Sequence, residues 1–174
     1  MRWVAVRIAV LGVSVALGAG PLEGAISAQE IVEPQPQRVS QFSGKPVPRF
    51  ETLRYSEVNG RVGPSLEHPI RWRYEREGLP VLIVKESQDW RRVQDPDGEE
   101  VWMHARMLRA GKFGMTQAEL KLFQTASATS QPIAKLEAGV MVTLLDRSGD
   151  WIRVSVDGHR GWALQSGIWG IDVN

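Results

Sequence analysis

The sequence predicts an all-β protein built from two tandem copies of one small barrel, and two observations carry that expectation. The first is an internal repeat: "LPVLIVKESQDWRRVQDPDGEEVWMHARML" (79–108) and "GVMVTLLDRSGDWIRVSVDGHRGWALQSGI" (139–168) follow one plan. Each has a β-branched run, a polar turn, Asp-Trp-x-Arg-Val, a turn containing Asp-Gly and a closing strand that carries Trp. The second is punctuation: short runs rich in Val, Ile and Trp, separated by Gly, Asp and Pro, read as antiparallel strands.

The chain opens with the layout of a secretory signal peptide over residues 1–28: Arg2 and Arg7 precede an apolar run from Ile8 to Ala19. Ser27 and Ala28 before polar Gln29 and Glu30 place the cut after Ala28. The run falls short of the roughly 20 residues that span a bilayer, although including Gly20 to Leu22 would bring an uncleaved anchor within reach. The expected mature protein lies in the periplasm, with release from the cell as the second destination, and has no stable membrane insertion after cleavage. Cleavage removes Arg2, Arg7 and Glu23, turning 21 basic and 20 acidic residues into 19 of each. A neutral protein offers no general attraction to nucleic acid or to anionic membranes. The absence of cysteine excludes disulfides, thiolate catalysis and cysteine-based metal sites.

Residues 29–49, rich in Pro, Gln and Ser, read as a flexible N-terminal tail. The first domain is expected over 50–111 and the second over 117–174. Asp97-Gly98 and Asp157-Gly158 signal tight hairpins, since Gly takes the positive φ such turns need. In "DWIRVSV" the alternation sets Ile152, Val154 and Val156 on the buried face, with Trp151 on the outer face or the rim. "AELKLF" could open a helix, but "PIAKLEAG" matches "PIRWRYEREG", so Glu119 to Gln124 is read as the first strand of copy two, counterpart of Asn59 to Val62. Trp162 is expected to hold the barrel, filling it or sealing its open end, and Trp151 chiefly to cap its end. Trp169, read as lying beyond the repeat, is expected to seal a seam between the two copies.

The opening box Asn59, Arg61, Gly63, Pro64, with Trp90 and the closing Trp102, resembles the bacterial SH3-like (SH3b) domain. In copy two Gly139, Trp151, Gly158, Gly161 and Trp162 match, while "LKLFQTASATSQP" lacks the opening box. Copy one departs as well, with Val101 where copy two has Gly161. The resemblance implies two tandem SH3-like barrels in an exported protein, and a ligand in peptidoglycan or a wall-associated protein.

Catalytic chemistry has little to stand on. The three histidines, His68, His104 and His159, show no HExxH-type spacing, and no Ser sits in a G-x-S-x-G elbow. No enzyme, metal or cofactor is expected. The candidate ligand-binding residues are Tyr55, Asn59 and Arg61 around the opening turn, and Trp72 with Tyr74 in "PIRWRY". The reading is of a non-catalytic envelope binding module, the alternative being a periplasmic scaffold for protein partners without direct wall contact.

Overall fold

A computed structural model describes residues 38–172, so the expected leader and the first part of the tail lie outside the described residues. Strands β1 (Arg38–Val39) and β2 (Pro46–Val47) form a two-stranded ribbon. The expectation of a structureless tail thus needs correction from residue 38 onward. The cause is a distant partner: Ser40 Oγ donates to the buried Glu86 carboxylate, which also pairs with Arg49 Nη1 at 2.7 Å and Arg91 Nε at 3.1 Å.

Two seven-stranded antiparallel sheets follow, and they share one strand order. The first contains β3 (Arg49–Leu53), β4 (Val58–Arg61), β5 (Ile70–Tyr74), β6 (Pro80–Ser87), β7 (Trp90–Gln94), β8 (Glu100–His104) and β9 (Leu108–Arg109), ordered β5-β4-β8-β7-β6-β3-β9. The second contains β10 (Phe113–Thr116), β11 (Leu120–Phe123), β12 (Pro132–Leu136), β13 (Met141–Ser148), β14 (Trp151–Val156), β15 (His159–Leu164) and β16 (Ile168–Trp169), ordered β12-β11-β15-β14-β13-β10-β16. The segment expected over 119–124 is therefore a strand at Leu120–Phe123 rather than a helix. Its register mirrors copy one: Phe123 faces Trp162 as Arg61 faces Trp102. The register shift in the long hairpin also repeats, between Ile83 and Lys85 and between Leu144 and Arg147. No ladder joins β5 to β9 or β12 to β16, so both orders are open rather than closed barrels.

Alternation decides what each strand buries. In β7 and β8 the inner face carries Val93, Val101 and Met103, which join Leu53, Val58, Leu79, Val81, Ile83 and Leu108 in one apolar cluster. Leu122, Leu136, Val142, Ile152, Val154, Ala163, Ile168 and Ile171 form the second. Trp102 and Trp162 sit between inward neighbours and so fall on the outer face, half-buried. The expectation that Trp162 fills a barrel is thereby corrected: Ala163 and Gly161 point inward in its place.

The two sheets meet at a seam. Trp169 Nε1 donates to the Pro80 carbonyl at 3.1 Å, and its ring meets Phe50 edge-on with centroids 4.9 Å apart. Asp172 Oδ1 accepts from the Phe50 amide at 2.9 Å. Met115 and Met141 of copy two pack on the apolar cluster of copy one. Trp169 is not outside the repeat, however. It pairs with Met115 as Arg109 pairs with Thr52, so it occupies the closing-strand position where copy one has arginine.

Candidate functional site

The outer face of the first sheet carries a cleft of about 210 Å³ lined by Glu57, Asn59, Arg61, Leu66, Trp90, His104, Arg106 and Met107. Strand β4 supplies Asn59 and Arg61, which alternate with inward Val58 and Gly60. Strand pairing then brings Trp90 opposite His104, their rings 5.4 Å apart at 62°. His104 Nδ1 accepts the Arg106 amide N–H at 3.3 Å, capping the 3-10 turn Ala105–Met107 and holding Arg106 at the rim. Ring, guanidinium and amide thus converge from elements far apart in sequence.

Arg61 has an internal duty too. Its Nη1 donates to the His68 carbonyl at 2.6 Å, and Ser65 Oγ lies 2.8 Å from His68 Nδ1, so the loop 63–68 is tied to β4. Gly63 lies so close to the His68 ring that an added Cβ would be 2.3 Å from it. These contacts explain the Arg-x-Gly of the opening box as loop closure. The Ser65–His68 pair is local and has no carboxylate to orient the imidazole, so it lacks the third member of a nucleophilic triad. Among the described residues no group of histidines and carboxylates could hold a metal ion. No described helix is long and apolar enough to cross a membrane.

Asn59 Oδ1 is closed to solvent and accepts no hydrogen bond from any described residue. Unfilled acceptors of this kind are uncommon.

The five residues singled out from sequence divide. Asn59 and Arg61 line the cleft. Trp72 faces Gly60 and Tyr74 faces Val58 across the β4–β5 ladder, so both lie on the inner side of the sheet, away from Asn59. Tyr74 packs against the core and donates its hydroxyl to Asp95 Oδ2 at 2.9 Å. Burial raises its phenol well above the ordinary range, with the Asp95 charge and hydrogen bond adding to the effect. Trp72, 40% exposed, stands at the sheet edge, and Tyr55, 47% exposed, stands in the β3–β4 connection. Sequence reasoning did not assign Glu57, Leu66, Trp90, His104, Arg106 or Met107 to a site.

Copy two keeps a tryptophan at the Trp90 position, Trp151, but differs around it. Matching registers place Phe123 at Arg61, Lys121 at Asn59 and Leu164 at His104. The Phe123 ring packs edge-on against Trp151, centroids 5.5 Å apart, in the place where copy one offers Arg61. Trp151 therefore meets an aromatic partner from its own domain, which is a packing role.

Comparison with known proteins agrees with the repeat. The chain is 24% identical over 118 residues to "Putative N-acetylmuramoyl-L-alanine amidase YrvJ" of Bacillus subtilis (strain 168), a match covering 61% of this chain and 23% of that protein. Among solved structures it is similar to NlpC2 and NlpC1 of Trichomonas vaginalis, each at 17% identity and TM-score 0.33. Those matches cover 70% and 76% of this chain and 47% and 48% of the other. The chain thus spans about a quarter of the curated relative's length and about half of each solved chain. The bacterial SH3 domain pattern matches twice, over residues 54–110 and 116–170, and the chain belongs to the bacterial SH3 domain family as a tandem pair.

Proposed function

We propose that the protein is an exported, non-catalytic binding module of the cell envelope, whose first domain recognises peptidoglycan or a wall-associated protein through the Asn59–Arg61–Trp90–His104–Arg106 cleft. Membership in a family of non-catalytic, wall-binding modules supports the class of function. One observation carries the choice of domain: the cleft is open and polar in copy one, whereas Phe123 packs against Trp151 at the matching place in copy two. A half-buried tryptophan beside guanidinium and amide groups suits a short peptide, the ring covering apolar parts while the polar groups orient carbonyls and carboxylates. In this reading each sheet wraps round its own apolar cluster as a small barrel, with 50–111 and 117–174 as domains, and the leader directs the protein to the periplasm.

Sedimentation of the mature protein with purified sacculi tests the ligand. Saturable co-sedimentation that Arg106→Ala weakens and Trp72→Ala leaves intact supports the cleft, since Trp72 lies on the other face of the ladder. If the protein stays in the supernatant at both low and moderate salt, direct wall recognition fails and a protein partner takes its place. Intact-mass measurement on a periplasmic extract tests export: a species retaining residues 1–28 in the membrane fraction would overturn the leader assignment.

A further inference from the structure

A second concave surface lies away from this cleft. A cavity of about 260 Å³ between the ribbon and the first sheet is lined by Ser43, Lys45, Arg49, Glu51, Arg54, Arg91, Ala105, Leu108, Arg109 and Ala110, five of them cationic. It continues at Arg109 and Ala110 into an open groove of about 460 Å³ that adds Lys112. Counting the carboxylates that pair with these side chains, six cations meet three, Glu51, Glu77 and Glu86. The whole chain carries a formal charge of only +1, so the excess is a local concentration rather than a general property.

The cations differ in readiness. Arg49 and Arg91, whose side chains are 11% and 10% exposed, are clamped by Glu86 and have fixed positions. Arg54 and Lys112 are exposed and make no ion pair or side-chain hydrogen bond with any described residue. Arg49 and Arg91 supply positive charge at fixed positions, while Arg54 and Lys112 keep their donors unspent for an anion.

We propose that this groove is an oxyanion site for a phosphate-bearing ligand. The donors come from separate elements: the ribbon turn, β3 and its exit, β7 and the segment joining β9 to β10. No single segment supplies more than two of the six cations. A planar carboxylate satisfies a single guanidinium fork, whereas a tetrahedral phosphate offers oxygens in several directions and a second charge.

The test is an amide and arginine-side-chain NMR titration of the mature protein with sodium tripolyphosphate in about 150 mM NaCl, where loose surface attraction is screened. Citrate serves as the carboxylate control. Saturable shifts at Lys45, Arg49, Arg54, Arg91 and residues 109–113 are expected, with binding weakened about tenfold by the double substitution Arg54→Gln/Lys112→Gln. Neither residue leaves a carboxylate unpaired, so the variant's denaturation midpoint should match wild type. Absence of saturation, equal binding of citrate, or unchanged binding by the double variant overturns the proposal. Flotation with phosphatidylglycerol vesicles separates the sources: flotation competed by tripolyphosphate identifies a lipid headgroup, and tripolyphosphate binding without flotation identifies a non-lipid phosphate.

Discussion

Gly60 faces Val101 across the first sheet so closely that a Cβ added to Gly60 would stand 2.6 Å from Val101 Cγ2. In the second sheet the sizes are exchanged. Leu122 takes the place of Gly60 and Gly161 that of Val101, and a Cβ on Gly161 would stand 2.9 Å from the Leu122 Cβ. Each domain keeps one large and one small residue at this inner contact, so the departure of copy one from the family's Gly is compensated within its own core.

Gly60→Ala should therefore destabilise the protein by about 2 kcal/mol through overpacking against Val101 and Tyr74. Val101→Ala in the same molecule should return part of that loss. A double-mutant cycle from urea denaturation checks the coupling, and purely additive effects would count against the contact.

Glu86 is the pH-sensitive point of the ribbon. Burial opposes its ionisation most strongly, but hydrogen bonds from Ser40, Ser43 and Arg49 together with the Arg91 charge outweigh it and hold the carboxyl below the usual range. A depressed folded pKa contributes stability that is present above the unfolded value of about 4.3 and is lost as pH falls through the folded one. Denaturation midpoints should drop below about pH 4, and Glu86→Gln should flatten that drop. At neutral pH the same substitution should cost about 3 kcal/mol, because Arg91 is left buried without its carboxylate.

Tyr74 titrates in the opposite sense. Its raised phenol pKa favours the neutral form in the folded protein, so its contribution is present below the unfolded value of about 10 and declines as pH rises past it. Ultraviolet titration should show the Tyr74 phenol ionising only well above the ordinary range. Tyr74→Phe should remove the late step and cost about 1 kcal/mol, the worth of its bond to Asp95.

Trp169→Ala removes both the Phe50 ring contact and the bond to Pro80, and should cost about 3 kcal/mol. Loss of nuclear Overhauser contacts between Phe50 and copy two, with both domains still folded, is the expected signature. An unchanged midpoint would show that the seam rests elsewhere.

Strand and turn positions were legible because their causes are local. Asp157 and Gly158, at φ 47° and 82°, form the turn that Asp-Gly announces, and Ile152 and Val154 bury as their alternation requires. The same alternation places Trp102 and Trp162 outward, but ring size suggested a core role that the smaller inward neighbours fill instead. The site was less legible because its members meet only through register. Arg61 and Phe123 look unrelated until Trp102 and Trp162 align them, and Trp90 reaches His104 only across a hairpin. The ribbon was hidden for a similar reason, since Ser40 and Glu86 are 46 residues apart. Overall neutrality also concealed the cationic groove, because composition records how many charges there are and not where they gather.

The contacts of Trp169 and Asp172 with Pro80 and Phe50 bear on the order in which the molecule is completed. A chain that emerges from its amino end completes the first sheet at Arg109, while Trp169 and Asp172, which meet its Phe50 face, are still about 60 positions away. Until they arrive, that aromatic side is open to solvent and to any chaperone that reads apolar surface. Covering of that face thus waits for the last strand of the second domain, the final strand of the described chain to be made.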